Sequence, residues 1–260
     1  MAELWYLIIG NPILNGLIAL SSILFSSFGL AIIALTVIVR LILFPLTKRQ
    51  LDSTKALQSM QPKIQELQKK YGKNKQKLQQ EMMKLYKEAG VNPMGCLWPM
   101  LVQFPVWIAL YQSIMRALAA TPESLLDLSR HLYTWQIVNQ AIPLNSHFLW
   151  LDLAGKGDLI LAILVGGTMW VQQKMTTAPS PDPKQQSTSS MMLLMMPLMF
   201  GMFTLTFPCG LPLFWVVSNV IGIVTQYFIT GGWGYLRSRP PAQLVPARGS
   251  SRASQKRPQA

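Results

Sequence analysis

Arg40 lies inside an apolar run, Phe28–Leu46, that is long enough to cross a bilayer. A permanent cation at the centre of a membrane helix costs about +2.5 to +3.5 kcal/mol on insertion scales. A guanidinium does not shed its proton as a buried lysine can, so the site must supply water or an anion. No other predicted span contains an acidic residue. The missing anion is therefore expected to belong to another molecule.

Half of the residues are hydrophobic and only 13% are charged, the balance of a membrane protein rather than a soluble domain. Since roughly 20 apolar residues cross the hydrocarbon core, five spans are read from run length: Phe28–Leu46, Cys96–Ile114, Leu159–Lys174, Met191–Pro208 and Leu211–Ile229. Only Cys209-Gly210 separates the last two, which predicts a tight helical hairpin. Pro99, Pro105, Pro197 and Pro212 fall inside spans, where neighbouring groups can re-satisfy the freed carbonyls.

The net charge of +13 is unevenly spread. Between Thr47 and Gly90 lie eleven Lys or Arg against four acids, and the 231–260 tail carries six basic residues and no acid. The stretch Ala117–Asp158 instead has Arg130 and Lys156 against Glu123, Asp127, Asp152 and Asp158. Basic loops stay in the cytoplasm, and five alternating spans put both basic segments on one side. The N-terminus is thus expected outside and the C-terminus in the cytoplasm.

Residues 1–27 read as an amphipathic segment in the outer leaflet, because Asn11, Asn15, Ser22 and Ser26 form a polar stripe on an apolar body; the alternative is a sixth span over Glu3–Ser26, interrupted by Asn11, Pro12, Asn15 and Gly16. The chain's start lacks a basic n-region and a small-residue cleavage site, so the segment is expected to be retained. The first transmembrane helix takes 28–47, followed by a cytoplasmic helical hairpin over 48–90. Leu57, Met60, Ile64, Leu67 and Tyr71 make its first coiled-coil seam; Leu78, Met82, Leu85 and Ala89 make the second, with Pro62 expected to kink or reset the first helix. The second transmembrane helix takes 91–118, an extracytoplasmic segment 119–157, and three further helices 158–230 with a cytoplasmic loop at 175–190. Residues 231–260 are too polar to bury a core and read as a disordered basic tail. The fold class is all-α and polytopic.

No phosphate-cradling glycine loop, metal-binding helix or nucleophile elbow occurs, so no catalytic residue, cofactor or metal is expected. Cys96 and Cys209 read as small structural residues, and His131 and His147 as surface or core residues of the outer segment. Polar groups inside the spans are more informative. Thr36 and Arg40 share a helix face, as do Gln103, Trp107 and Tyr111; Thr168 and Gln172, next to Gln173; and Trp215, Asn219, Gly222 and Gln226. One such set is ordinary interhelical glue, worth about 0.6 kcal/mol per hydrogen bond. Their occurrence together with an unpaired arginine favours a water-containing cavity. Met192, Met195, Met199 and Met202 align on one face of the fourth span, an adaptable apolar surface.

The run Val37-Ile38-Val39-Arg40 leading to Pro45-Leu46-Thr47-Lys48, then Met60-Gln61-Pro62-Lys63, resembles the YidC family of membrane protein insertases, related to the mitochondrial Oxa and chloroplast Alb insertases. So do Gly90-Val91-Asn92-Pro93 with Gly95-Cys96, Gln103-Phe104-Pro105, the stretch Phe148 to Leu153, and Trp170 to Met175. The likeness runs from about Gly29 to Thr230 and has the short five-span form. It implies a bacterial inner-membrane protein that inserts small membrane proteins through a hydrophilic groove, alone or beside the Sec translocon. By the same resemblance Arg40, Gln172 or Gln173, and Trp215 are expected to line the groove and receive nascent chains with acidic N-terminal tails, and the polar stripes add Gln103 and Asn219 as groove candidates. The cytoplasmic hairpin would join early capture, and the basic tail would meet a ribosome or anionic lipid. Two rivals are a small-solute or ion transporter, which would show repeat-related broken helices, and a membrane-tethered ribosome receptor. No internal repeat favours the first, and Arg40 with the polar stripes disfavours the second.

Overall fold

The computed structural model describes residues 5–236 except 73, 89, 91–96, 119–121, 137, 139–143 and 178–182. The expectations for Cys96, for Ala89, for the motif around Asn92-Pro93, for part of the 175–190 loop and for the tail beyond Leu236 lie outside the described residues. Helix α1 (Asn11–Ile23) follows a π-helical turn at Tyr6–Gly10. Helix α2 (Phe28–Ile42) starts where the Ser27 hydroxyl accepts the Leu30 N–H, which satisfies one orphan donor of the first turn. Helices α3 (Phe44–Ser59), α4 (Gln61–Tyr71) and α5 (Lys75–Glu88) form the basic segment. Helix α6 (Leu97–Ala117) carries Pro105 in its interior, and α7 (Pro122–His131) falls within the 119–157 segment. Helices α8 (Leu159–Thr176), α9 (Pro183–Thr204) and α10 (Gly210–Thr230) complete the bundle.

The first predicted span is not one straight helix. Helix α2 ends at Ile42 and the chain turns by 63° into α3, where Pro45 occupies a first-turn position that needs no N–H. Fifteen residues of α2 rise only about 22 Å, short of the hydrocarbon thickness of roughly 30 Å. Arg40 therefore sits in the last turn of α2, beside the bend, and not at mid-span.

The N-terminal segment also differs from expectation. Its polar stripe is split: Ser22 and Ser26 are exposed, but Asn15 is fully buried, its amide donating to Asn11 O and His131 O at 2.9 Å and accepting the Tyr133 N–H at 2.7 Å. Ser21 is buried as well, while Leu7, Ile8, Ile23 and Phe25 are exposed. Tyr6–Ile23 is long and apolar enough to cross a membrane, and so are Gln186–Thr204 and Gly210–Thr230. An amide aimed at a neighbouring helix and loop looks like a polar stripe in sequence, which is why the stripe misled.

Pro62 resets the first hairpin helix instead of kinking it, since a new helix starts at Gln61 with the proline in its first turn. Leu57 consequently belongs to α3, while Ile64 and Leu67 of α4 and Leu78 and Leu85 of α5 are half-buried.

The 119–157 segment is not purely helical. Strands β1 (His147–Phe148) and β2 (Leu151–Asp152) pair antiparallel, with Phe148 opposite Leu151. A Cβ on Gly29 would overlap the Phe148 side chain, so the glycine lets this small hairpin seat on the start of α2. The same segment closes the α9–α10 turn, for Cys209 N donates to Gly155 O at 2.9 Å and Gly210 N to Leu153 O at 3.1 Å. Leu14, Leu17, Phe28, Ile32, Ile114 and Leu211 pack beneath it as the hydrophobic core. At the other end of the bundle the helices separate around Arg40.

Candidate functional site

Five helices contribute to that opening. Toward the hairpin, Arg40 shares a cavity of about 250 Å³ with Gln50 and Thr54 of α3, Gln103 of α6, Gln172 of α8 and Gln226 of α10. Toward the core, Arg40 and Gln103 also line a second chamber of about 310 Å³, walled by Trp107, Phe200, Trp215, Ser218 and Asn219 among others. Arg40 stands where the amide-lined chamber meets the aromatic one.

Arg40 is half-buried and its Nε donates to Ser218 Oγ at 3.3 Å. Among the described residues no carboxylate forms a salt bridge with it. Thr36, one turn earlier, spends its hydroxyl on Ile32 O at 2.6 Å and is no partner for the guanidinium. Among the described residues the terminal nitrogens have no hydrogen-bond partner and are left to solvent or to a guest. A carboxylate fits that position, since a guanidinium presents paired donors to two oxygens.

The polar stripes of α8 and α10 meet each other. Asn219 Nδ2 donates to Thr168 Oγ1 at 3.2 Å, and Gln226 Nε2 to Thr176 Oγ1 at 3.4 Å. These bonds fix the far wall and leave Gln172 free to line the cavity. A Cβ on Gly222 would overlap the Gln172 amide, so the glycine makes room for it. Gln172 and Gln173 separate here: Gln173 lines neither chamber holding Arg40, and its Nε2 reaches Met196 Sδ of α9 at 3.5 Å. One helical step turns it about 100° away.

Trp215 stacks on Trp107, with centroids 5.9 Å apart and planes 10° from parallel, and Phe207 meets both edge-on. Of the expected site residues, Arg40, Gln103, Gln172, Trp215 and Asn219 come together and Gln173 does not. Sequence reading missed Gln50, Thr54, Thr176 and Ser218. The first two looked like surface residues of a soluble hairpin, because the 63° bend that folds α3 across the mouth left no mark in apolar run length. Gln226 could have been found from its place on the α10 stripe.

A family model described as 60Kd inner membrane protein matches residues 19–233. The chain belongs to that family. Relatives in the 60Kd inner membrane protein family include proteins named membrane protein insertase YidC. Those of Actinobacillus succinogenes and Mannheimia succiniciproducens are each 40% identical over 230 residues, covering 88% of this chain and 38% of theirs. That of Pasteurella multocida is 39% identical over 230 residues with the same coverage. The chain thus spans under two fifths of the length of these relatives. A crystal structure of an active YidC insertase, with its first transmembrane domain resolved, superposes with a TM-score of 0.53 at 27% identity, covering 77% of this chain and 41% of that one. These relatives and the apolar helices make this a bacterial membrane protein.

Proposed function

We propose that this protein is a membrane protein insertase or chaperone, which receives small membrane proteins in the Arg40 cavity and releases their apolar segments sideways into lipid. The observation that carries the reading is a cation in a hollow between membrane helices with no carboxylate paired to it among the described residues. An incoming N-terminal tail with Asp or Glu supplies the missing charge. Amide side chains and water in the hairpin-side chamber take the place of bulk hydration along the tail. Burial of the substrate's apolar segment in lipid then drives the process, so no covalent step and no nucleotide is needed.

Cytoplasmic exposure of the α4–α5 hairpin and of the C-terminus follows from the basic-loop rule. The basic tail serves as a contact for a ribosome or anionic lipid, and insertion proceeds alone or with the Sec translocon. Gln103, Gln172, Trp215 and Asn219 are substrate-facing residues on this reading.

The test is reconstitution of the pure protein in liposomes with a single-span substrate bearing an acidic tail. Arg40→Ala lowers insertion on the order of 100-fold, the loss expected when one partner of a desolvated charge pair is removed. Arg40→Lys keeps much of the activity, because charge matters more here than fork geometry. Full activity of Arg40→Ala with every acidic-tailed substrate would overturn the charge-attraction mechanism.

A further inference from the structure

The aromatic chamber holds a donor that nothing in the fold uses. Trp107 lines it together with Arg40, Gln103 and Ser218, and its indole Nε1 is buried with no hydrogen-bond partner among the described residues. Buried N–H groups in folded proteins are almost always paired, so an orphan on a residue that lines a cavity needs an explanation. Packing alone does not provide one. Phenylalanine would keep the ring on Trp215 and Phe207 and bring no unpaired N–H into the wall.

We infer that the Trp107 N–H is a second donor of the Arg40 site, a specificity-determining group that holds one oxygen of a substrate carboxylate while the guanidinium holds the other. The inference rests on the proposed insertase reading and names what the site selects: an acidic side chain, not merely a polar tail. Arg40 Nε is already committed to Ser218, which leaves the terminal nitrogens for the guest. A carboxylate carries lone pairs on both oxygens and can accept from two directions. An apolar tail residue gives the N–H no acceptor, so it is left buried and unpaired.

The experiment uses the full chain in liposomes with two single-span substrates, identical except for one Asp or one Ala in the tail. Trp107→Phe lowers insertion of the Asp substrate about tenfold, the range of one charge-assisted hydrogen bond, and leaves the Ala substrate unchanged. Equal loss with both substrates means that Trp107 is only structural and overturns the inference, as does no loss with either. A second measurement stands apart from transport. In detergent, the indole ¹⁵N–¹H signal that disappears in Trp107→Phe shifts on titration with a soluble Asp-tail peptide and not with its Ala counterpart; an unmoved signal at saturation overturns the inference. Arg40→Ala serves as the separate control, for its full activity sinks the charge-attraction reading whatever Trp107 does.

Discussion

The same helices behave differently at their two ends. Beneath the β1–β2 hairpin, α1, α2, α6 and α10 close on one another, and Leu17, Phe28, Ile32 and Leu211 lose all contact with solvent. Toward the hairpin, α2, α3, α6, α8 and α10 stand apart around Arg40 and two cavities. Side-chain chemistry accounts for the difference. At the closed end the facing residues are branched or aromatic hydrocarbons that interlock; at the open end Gln103 and Gln172 line the cavity, while Asn219 and Gln226 tie α10 to α8 through Thr168 and Thr176. On the proposed reading, stability and substrate handling fall at opposite ends of one bundle.

The sharpest way to break that division is to cut at both ends. Leu211→Ala removes a fully buried side chain and lowers stability by about 2–5 kcal/mol. Arg40→Ala abolishes most insertion of acidic-tailed substrates yet leaves the melting temperature in detergent unchanged or slightly higher. If Arg40→Ala melts as early as Leu211→Ala, the cavity is a structural element and the division fails.

Two glycines sharpen the comparison further. Gly29→Ala at the closed end drives a methyl into the Phe148 side chain, which the β1–β2 hairpin holds in place. The expected cost is about 1–3 kcal/mol, that of overpacking. Gly222→Ala at the open end meets only the tip of the Gln172 amide, which can swing into the cavity. Stability should change by less than about 1 kcal/mol, while insertion falls about two- to threefold as the amide is displaced. Thermal melts and transport assays on the same two variants separate the outcomes.

This contrast also explains what was legible in the sequence. Apolar run length found α6, α8, α9 and α10, and polar stripes at helical spacing found Arg40, Gln103, Gln172, Trp215 and Asn219, because periodicity reports which face a residue occupies. It does not report what that face meets. Asn15 shares the spacing of a solvated stripe, yet its partners are His131 O and Tyr133 N, more than a hundred positions away. The break at Leu43 was equally silent, since Phe44-Pro45-Leu46 is as apolar as the helix before it. Gln50 and Thr54 were lost from the site with it.

The smallest effect is expected where neither end is involved. On the solvent-facing hairpin, Lys84 Nζ donates to Glu81 Oε1 at 2.9 Å, and this hydrogen bond, with the charge of nearby lysines, holds the Glu81 carboxyl below its ordinary pKa. A carboxyl whose folded pKa is depressed contributes stability above its unfolded pKa and loses it as pH falls through the folded value. Glu81→Gln should therefore lower the melting temperature marginally at pH 7 and not at all once the pH is well below the ordinary glutamate range. High salt should erase the pH 7 difference too, because water and ions screen an exposed pair. A Glu81→Gln deficit that persists in acid and in salt would mean that the carboxylate is engaged by the body of the protein. The hairpin would then belong to the open end's architecture, not stand apart from it.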